Sequence, residues 1–155
     1  MNKKEFHKVI DFAIKREEGA VAFYVNLKNI VYFKEKQDLL ETLVEMERVH
    51  IEVLESIRLK TMKHVLLPRL QNLDVEAYST DEIIPNPDMS YRDILRIAIQ
   101  REEQSFQLYQ KLARECVDDD LIRLFKRLAA EEVGHKIHFE RLIDEPGTRI
   151  GEASD

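Results

Sequence analysis

Apolar side chains recur every three or four residues in four stretches of the chain, the spacing that keeps them on one face of an α-helix. The pattern predicts helices over about residues 4–31, 38–66, 90–116 and 119–144. Short polar segments, "FKEKQD" and "VDDD", join the first helix to the second and the third to the fourth, and the second segment offers aspartates as N-caps. Because short joins make neighbouring helices antiparallel, the pattern predicts an all-α four-helix bundle built from two antiparallel pairs.

The segment between the two pairs, residues 67–89, is predicted to be a long crossover and not a continuous helix. It contains Pro68, Pro85 and Pro87, which interrupt helices. A segment of this length is long enough in extended form to run the length of one helix of the bundle. We therefore expect one domain over residues 1–145 and a flexible tail over 146–155.

Composition narrows the function classes. The 155 residues carry a formal net charge of −6, which argues against nucleic acid as a partner because phosphate binding needs clustered basic residues. No stretch approaches the roughly 18 apolar residues of a membrane span, and we expect a cytoplasmic protein. The only cysteine, Cys116, excludes an internal disulfide and a multi-cysteine metal site within this chain.

The two halves of the chain repeat each other at an interval of 85 residues, the distance from Glu47 to Glu132. "FAIKREEGAVAFYVNL" from Phe12 aligns with "IAIQREEQSFQLYQKL" from Ile97. At the same interval, the Glu-x-x-His stretches "ERVH" and "EVGH" also align, and this pattern occurs nowhere else in the chain. The repeat makes these two stretches equivalent positions of one duplicated unit.

Each of the four apolar helix faces carries a glutamate where its neighbours would predict an aliphatic residue. A buried charge costs several kcal/mol unless it is paired or bound to a metal, so the positions of these four glutamates predict a metal site. Histidines lie one turn after two of the glutamates and can point at the same atom. The predicted metal ligands are Glu17, Glu47, His50, Glu102, Glu132 and His135.

This ligand set is rich in oxygen and contains two imidazoles, which suits a pair of iron ions, with manganese or zinc as possible occupants. The neighbouring Glu18 and Glu103 lie about 100° off the apolar stripe and are expected to face water. The competing interpretation is a metal-free structural bundle, which the four buried carboxylates disfavour.

These residues resemble the ferritin-like proteins of the rubrerythrin family over about residues 5–145. "REEGAVAFY" and "REEQSFQLY" are similar to the family's first and third helices, and "LVEMERVH" and "LAAEEVGH" to its second and fourth. The resemblance implies that Glu47 and Glu132 bridge two metals, that Glu17 and Glu102 are terminal ligands, and that each histidine binds one metal.

Two departures from the family pattern concern electron supply and ligand exchange. A rubredoxin-like module needs several cysteines, so this chain lacks one and would need an external electron donor, such as a rubredoxin-like protein. The family's third helix also carries an additional ligand glutamate three residues after the first, and here that position is Ser105.

Tyr24 and Tyr109 lie two turns beyond Glu17 and Glu102 on the same faces. They are interpreted either as core aromatics or as hydroxyls that hydrogen-bond a ligand carboxylate and orient it. The resulting hypothesis is a non-haem di-iron oxidoreductase that reduces hydrogen peroxide or dioxygen, in a homo-oligomer. The alternative is a ferroxidase or iron-handling protein that uses the same centre.

Overall fold

The structure, a computed structural model, is described over residues 3–61 and 83–144, and four helices make up most of this part. They are α1 (Lys3–Ile30), α2 (Lys34–Thr61), α3 (Tyr91–Glu115) and α4 (Asp119–Asp144). α1 packs along α2 and α3 along α4, and the described residues contain no strand. The predicted all-α four-helix bundle is confirmed.

The first helix pair is joined more tightly than the sequence pattern predicts. α2 begins at Lys34 and not near residue 38, so most of the polar segment "FKEKQD" is helical. The amides of Lys36 and Gln37 both donate to the carbonyl of Phe33 at 3.1 Å, and the Gln37 side chain donates to the carbonyl of Val31. These bonds close the first turn of α2 directly after a join of three residues.

Side-chain caps mark the start of the second helix pair. Ser90 Oγ accepts from the Asp93 amide at 3.0 Å, and the Asp93 carboxylate accepts from the Ser90 amide at 3.3 Å, which is a capping box worth about 1 kcal/mol. The carboxylate of Asp118 accepts from the amides of Asp120 and Leu121 at the start of α4. The aspartate cap predicted from "VDDD" is therefore present.

Only the end of the predicted crossover can be compared with the structure. Residues 83–90 contain no helix, and the carbonyl of Asn86 accepts from the Met89 amide in a turn. The remainder of the crossover and the tail at 146–155 lie outside the described residues. Among the described helices, none has an apolar stretch long enough to cross a membrane.

The apolar core is divided into two clusters by a polar layer. On α1, Ile14 belongs to one cluster and Ala20 to the other, with Glu17 between them. On α4, Ala129 and Phe139 are separated in the same way by the second Glu-x-x-His stretch. All four helices therefore bring polar side chains to one level of the bundle, between two packed apolar layers.

Candidate metal centre

The six predicted ligands all lie in this polar layer, and five of them are at most 3 % exposed. The five are Glu17, Glu47, His50, Glu102 and Glu132. The sixth, His135, has a side chain that is 21 % exposed and marks the side of the layer closest to solvent. In the Glu-Glu pairs, Glu17 and Glu102 are the buried members, whereas Glu18 is exposed and Glu103 pairs with Lys136 at 3.0 Å.

The first group of converging side chains consists of Glu17, His50 and Glu132. Each offers one ligand atom, and these atoms lie within 4.8 Å of one another. His50 Nδ1 is 2.8 Å from Glu132 Oε1 and 4.0 Å from Glu17 Oε1. Three helices, α1, α2 and α4, thus direct donor atoms at one point.

The second group consists of Glu102, Glu132 and His135, with ligand atoms that also lie within 4.8 Å of one another. His135 Nδ1 is 3.5 Å from Glu102 Oε2. The rings of His50 and His135 are stacked with their centroids 5.5 Å apart. Glu132 belongs to both groups, so the two candidate sites share one carboxylate.

Glu47 adjoins the first group without belonging to either set of three. Its Oε2 is 3.6 Å from His50 Nδ1, and its carboxyl lies against that of Glu17. The resemblance to rubrerythrins implies two bridging carboxylates. Glu132 is the carboxylate that the two groups share, and bridging by Glu132 and by Glu47 stays a prediction.

Unpaired polar atoms provide a test of whether the site fits metal ions. Within the described residues, Glu102 Oε2, Glu132 Oε1 and His135 Nδ1 are buried without a hydrogen-bond partner, and so are both ring nitrogens of His50. The short contact between His50 and Glu132 has the distance of an ion pair but not the angles of a hydrogen bond. Leaving so many buried donor and acceptor atoms unpaired is unfavourable, and metal coordination would satisfy all of them except one of the two His50 nitrogens.

The pKa shifts of the metal-free site also indicate that its residues suit a metal ion. Burial raises the pKa of Glu17 well above its ordinary value, and the adjacent charge of Glu47 raises it further. Burial also raises the pKa of Glu132, to about 7, although His50 opposes this shift. Burial lowers the pKa of His50, but contacts with Glu132 and Glu47 outweigh it and raise the pKa to about 11. Without metal the layer therefore holds protons, which a metal ion would displace on binding.

The two tyrosines differ in their contacts. Tyr109 donates a hydrogen bond of 2.7 Å to Glu17 Oε1, so it has the orienting contact that the sequence left open. The hydroxyl of Tyr24 is buried and has no hydrogen-bond partner among the described residues. The guanidinium of Arg101 lies over the Tyr24 ring, 5.9 Å from its centroid.

Sequence reasoning missed two charged residues beside the site. Glu131 Oε2 is 3.5 Å from His50 Nε2, and Arg16 donates to Ser105 Oγ at 3.1 Å. Each directly precedes a predicted ligand in the chain. Their helical positions place them off the apolar stripe, so periodicity assigns them to the surface, and only the packing of neighbouring helices brings them to the site.

Fold and site together define a class of protein, a four-helix bundle with a candidate carboxylate and histidine metal site at its centre. The family model described as Rubrerythrin matches residues 8–143, and the chain belongs to the rubrerythrin family. This family typically binds two iron ions, which agrees with two ligand groups that share one carboxylate. A search of curated proteins finds no match to the chain.

Proposed function

We propose that this protein is a non-haem di-iron oxidoreductase that reduces hydrogen peroxide, or dioxygen, with electrons from a separate donor protein. The observation that carries the proposal is the pair of ligand groups that share Glu132, in which His50, Glu102, Glu132 and His135 each have a buried polar atom without a hydrogen-bond partner. With two irons bound, the site would supply one electron from each metal, so that hydrogen peroxide, two electrons and two protons give two water molecules.

The protein's own contribution begins with charge balance. Four carboxylates carry four negative charges, equal in size to the charge of two ferrous ions, while both histidines can bind as neutral ligands. Manganese or zinc would satisfy the same ligands, but zinc cannot exchange electrons. Because the family typically binds iron, iron is the metal we propose for the active protein.

Burial limits which oxidants can reach the site. Apolar layers close it along the bundle axis, and the five buried ligands exclude bulk water. The partly exposed edge of His135 is the part of the ligand set nearest to solvent. This arrangement favours a small oxidant such as peroxide or dioxygen over a bulky organic substrate.

Electrons have to arrive from outside this chain, since a single cysteine cannot hold a rubredoxin-type iron. We propose a rubredoxin-like protein as the donor and a homo-oligomer in a cytoplasmic setting as the working form. The Tyr109 hydroxyl would keep Glu17 in one orientation as electrons are exchanged, because its hydrogen bond fixes a carboxylate oxygen.

Metal analysis followed by anaerobic peroxide titration tests the proposal. Protein from its native source should contain about two irons per chain, and the reduced form should be oxidised by one peroxide per pair of irons. Zinc-loaded protein is the matched control and should consume none. If peroxide is inert while added ferrous iron is oxidised by dioxygen and retained, iron handling becomes the supported function. If native protein contains no metal, the structural-bundle interpretation holds.

A further inference from the structure

The two ring nitrogens of His50 face different carboxylates. Nδ1 faces Glu132 at 2.8 Å, whereas Nε2 faces Glu131 Oε2 at 3.5 Å. The other oxygen of Glu131 accepts from Arg127 Nε at 3.0 Å, so this carboxylate is itself held in place. Glu131 is 32 % exposed and lies at the edge of the polar layer, outside the set of predicted ligands.

The chemistry of imidazole determines which atom donates and which accepts in the contact between His50 and Glu131. A neutral ring has one N–H donor and one nitrogen with a free lone pair, and a metal takes the lone pair. Nδ1 faces the carboxylates of Glu17 and Glu132, so Nε2 has to carry the hydrogen when a metal is bound. The side chain of His50 is only 1 % exposed, which leaves little room for water to accept that hydrogen. In the described part of the chain, Glu131 is the one carboxylate within 4.0 Å of Nε2.

We propose that Glu131 is a positioning residue that accepts the Nε2–H of His50 and thereby directs Nδ1 at one of the two metals. The inference rests on the proposed metal centre and adds a residue that does not itself bind metal. Carboxylates that hold the outer nitrogen of a ligand histidine fix its tautomer and ring orientation and make it a stronger ligand.

The first half of the repeat has no carboxylate at the position equivalent to Glu131. The residue equivalent to Glu131 in the first half is Met46, and the residue equivalent to Arg127 is Thr42. Among the described residues, the one carboxylate within 4.0 Å of the His135 ring is Glu102, which faces Nδ1. We therefore expect the two sites to differ in affinity, with the ion bound by His50 held more tightly than the ion bound by His135.

Titration of the metal-free full-length protein with Zn²⁺ against a competing chelator tests the inference. Wild-type protein should bind two ions in two distinguishable steps. Glu131→Met, which copies the residue of the other half, should weaken the tighter step about 10- to 100-fold and leave the other nearly unchanged. Glu131→Gln keeps an acceptor oxygen and should recover part of the loss. Glu103→Met is the matched control, because Glu103 is also adjacent to a predicted ligand but pairs with Lys136 and not with a histidine.

A spectroscopic signature separates positioning from a general structural role. In the zinc-loaded protein, NMR of the imidazole groups should show a slowly exchanging Nε2–H for His50, and Glu131→Met should remove this protection while Glu103→Met preserves it. Equal zinc binding and unchanged His50 signals in Glu131→Met would overturn the inference. Two identical binding steps in the wild type would also overturn it. Wild-type protein that binds two zinc ions as expected but shows no peroxide reduction with iron would refute only the proposed function.

Discussion

Tyr109 on α3 donates its hydroxyl hydrogen to Glu17 on α1 across a distance of 2.7 Å, which links the second half of the chain to the first. Both side chains are buried, and burial raises the pKa of each well above its ordinary value. Tyr24 occupies the equivalent position of the repeat, yet its buried hydroxyl has no partner among the described residues. The duplicated sequence therefore produces a site whose surroundings are asymmetric.

Removal of the Tyr109 hydroxyl should destabilise the protein more than removal of the Tyr24 hydroxyl. Tyr109→Phe leaves a buried carboxyl oxygen without its donor, at a cost of about 1–3 kcal/mol in the free energy of unfolding. Tyr24→Phe removes an unpaired hydroxyl and should be nearly neutral. Urea denaturation of the two metal-free variants measures the difference, and equal losses of stability would contradict the assigned hydrogen bond.

The sequence predicts the fold because each helix contributes a regular apolar stripe. Ile10, Leu54, Leu112 and Phe125 fall on these stripes, and all are buried in one cluster. The apolar pattern places the start of α2 too late, because polar residues such as Lys34 and Gln37 fit the first turn of a helix as well as they fit a loop. Polarity alone does not distinguish the two.

The candidate ligands were readable because Glu17 and its counterparts interrupt an apolar pattern, and the repeat identifies them twice. The roles of Glu131 and Arg16 were not readable, since each depends on a side chain from another helix. Glu131 contacts His50 on α2, and Arg16 contacts Ser105 on α3. Such contacts are set by how the helices pack, which sequence periodicity does not specify.

The shared position of Glu132 predicts how metal is lost when single ligands are removed. Glu132→Ala should disrupt both metal sites, because this carboxylate belongs to both ligand groups. If Glu47 bridges as the family resemblance implies, Glu47→Ala should do the same. Glu102→Ala is the comparison, because Glu102 belongs to one group only. Elemental analysis of purified variants should show the stoichiometry falling from about two toward zero for Glu132→Ala and remaining higher for Glu102→Ala. Equal retention of metal by these two variants would contradict a shared carboxylate.

Metal removal should make stability depend on pH near neutrality. In the folded metal-free protein the pKa of Glu132 is about 7, above its ordinary value of 4.5, so its contribution to stability is lost as pH rises through 7. Glu17 acts in the same direction. His50, with a pKa raised from 6.5 to about 11, contributes stability that is complete below 6.5 and declines as pH rises toward 11.

Above about pH 6.5 His50 carries most of this loss, because the loss from Glu132 is complete near pH 7. The melting temperature of metal-free protein should therefore fall by a few degrees between pH 6.5 and 8.5, since about 1 kcal/mol corresponds to roughly 2–4 °C at this size. His135 has a lowered pKa and opposes this trend only at lower pH, where its protonation favours unfolding. Metal-loaded protein should melt at a higher temperature at pH 8.5, because bound metal neutralises the carboxylates. Calorimetry of both forms checks this, and indistinguishable melting curves at pH 8.5 would count against metal binding by these residues.

The contact between Arg16 and Ser105 bears on whether the metals move when the protein changes oxidation state. In the family pattern a glutamate stands at the position of Ser105, and here a short neutral hydroxyl accepts from Arg16 at 3.1 Å instead. Without a spare carboxylate to compete with His50, the same six ligands should hold the metals in both oxidation states. Crystal structures of the oxidised and reduced protein measure this directly, and an iron that leaves His50 on oxidation or reduction would contradict it.

A carboxylate at position 105 should allow one iron to move when the oxidation state changes, which Ser105 prevents. Arg16, however, is placed to pair with that carboxylate. Ser105→Glu alone is therefore expected to have a small effect on metal position, since a guanidinium beside the new group forms a charge-assisted hydrogen bond with it. Combining Ser105→Glu with Arg16→Gln frees the carboxylate and should shift one iron and change the rate of peroxide reduction. Ala20→Glu, at the equivalent position of the first half, controls for the added charge and volume. The residue equivalent to Arg16 there is Arg101, whose guanidinium lies over the rings of Phe23 and Tyr24. An identical ligand set in the double variant and the wild type, seen crystallographically in both oxidation states, would show that the residue at 105 does not govern metal position.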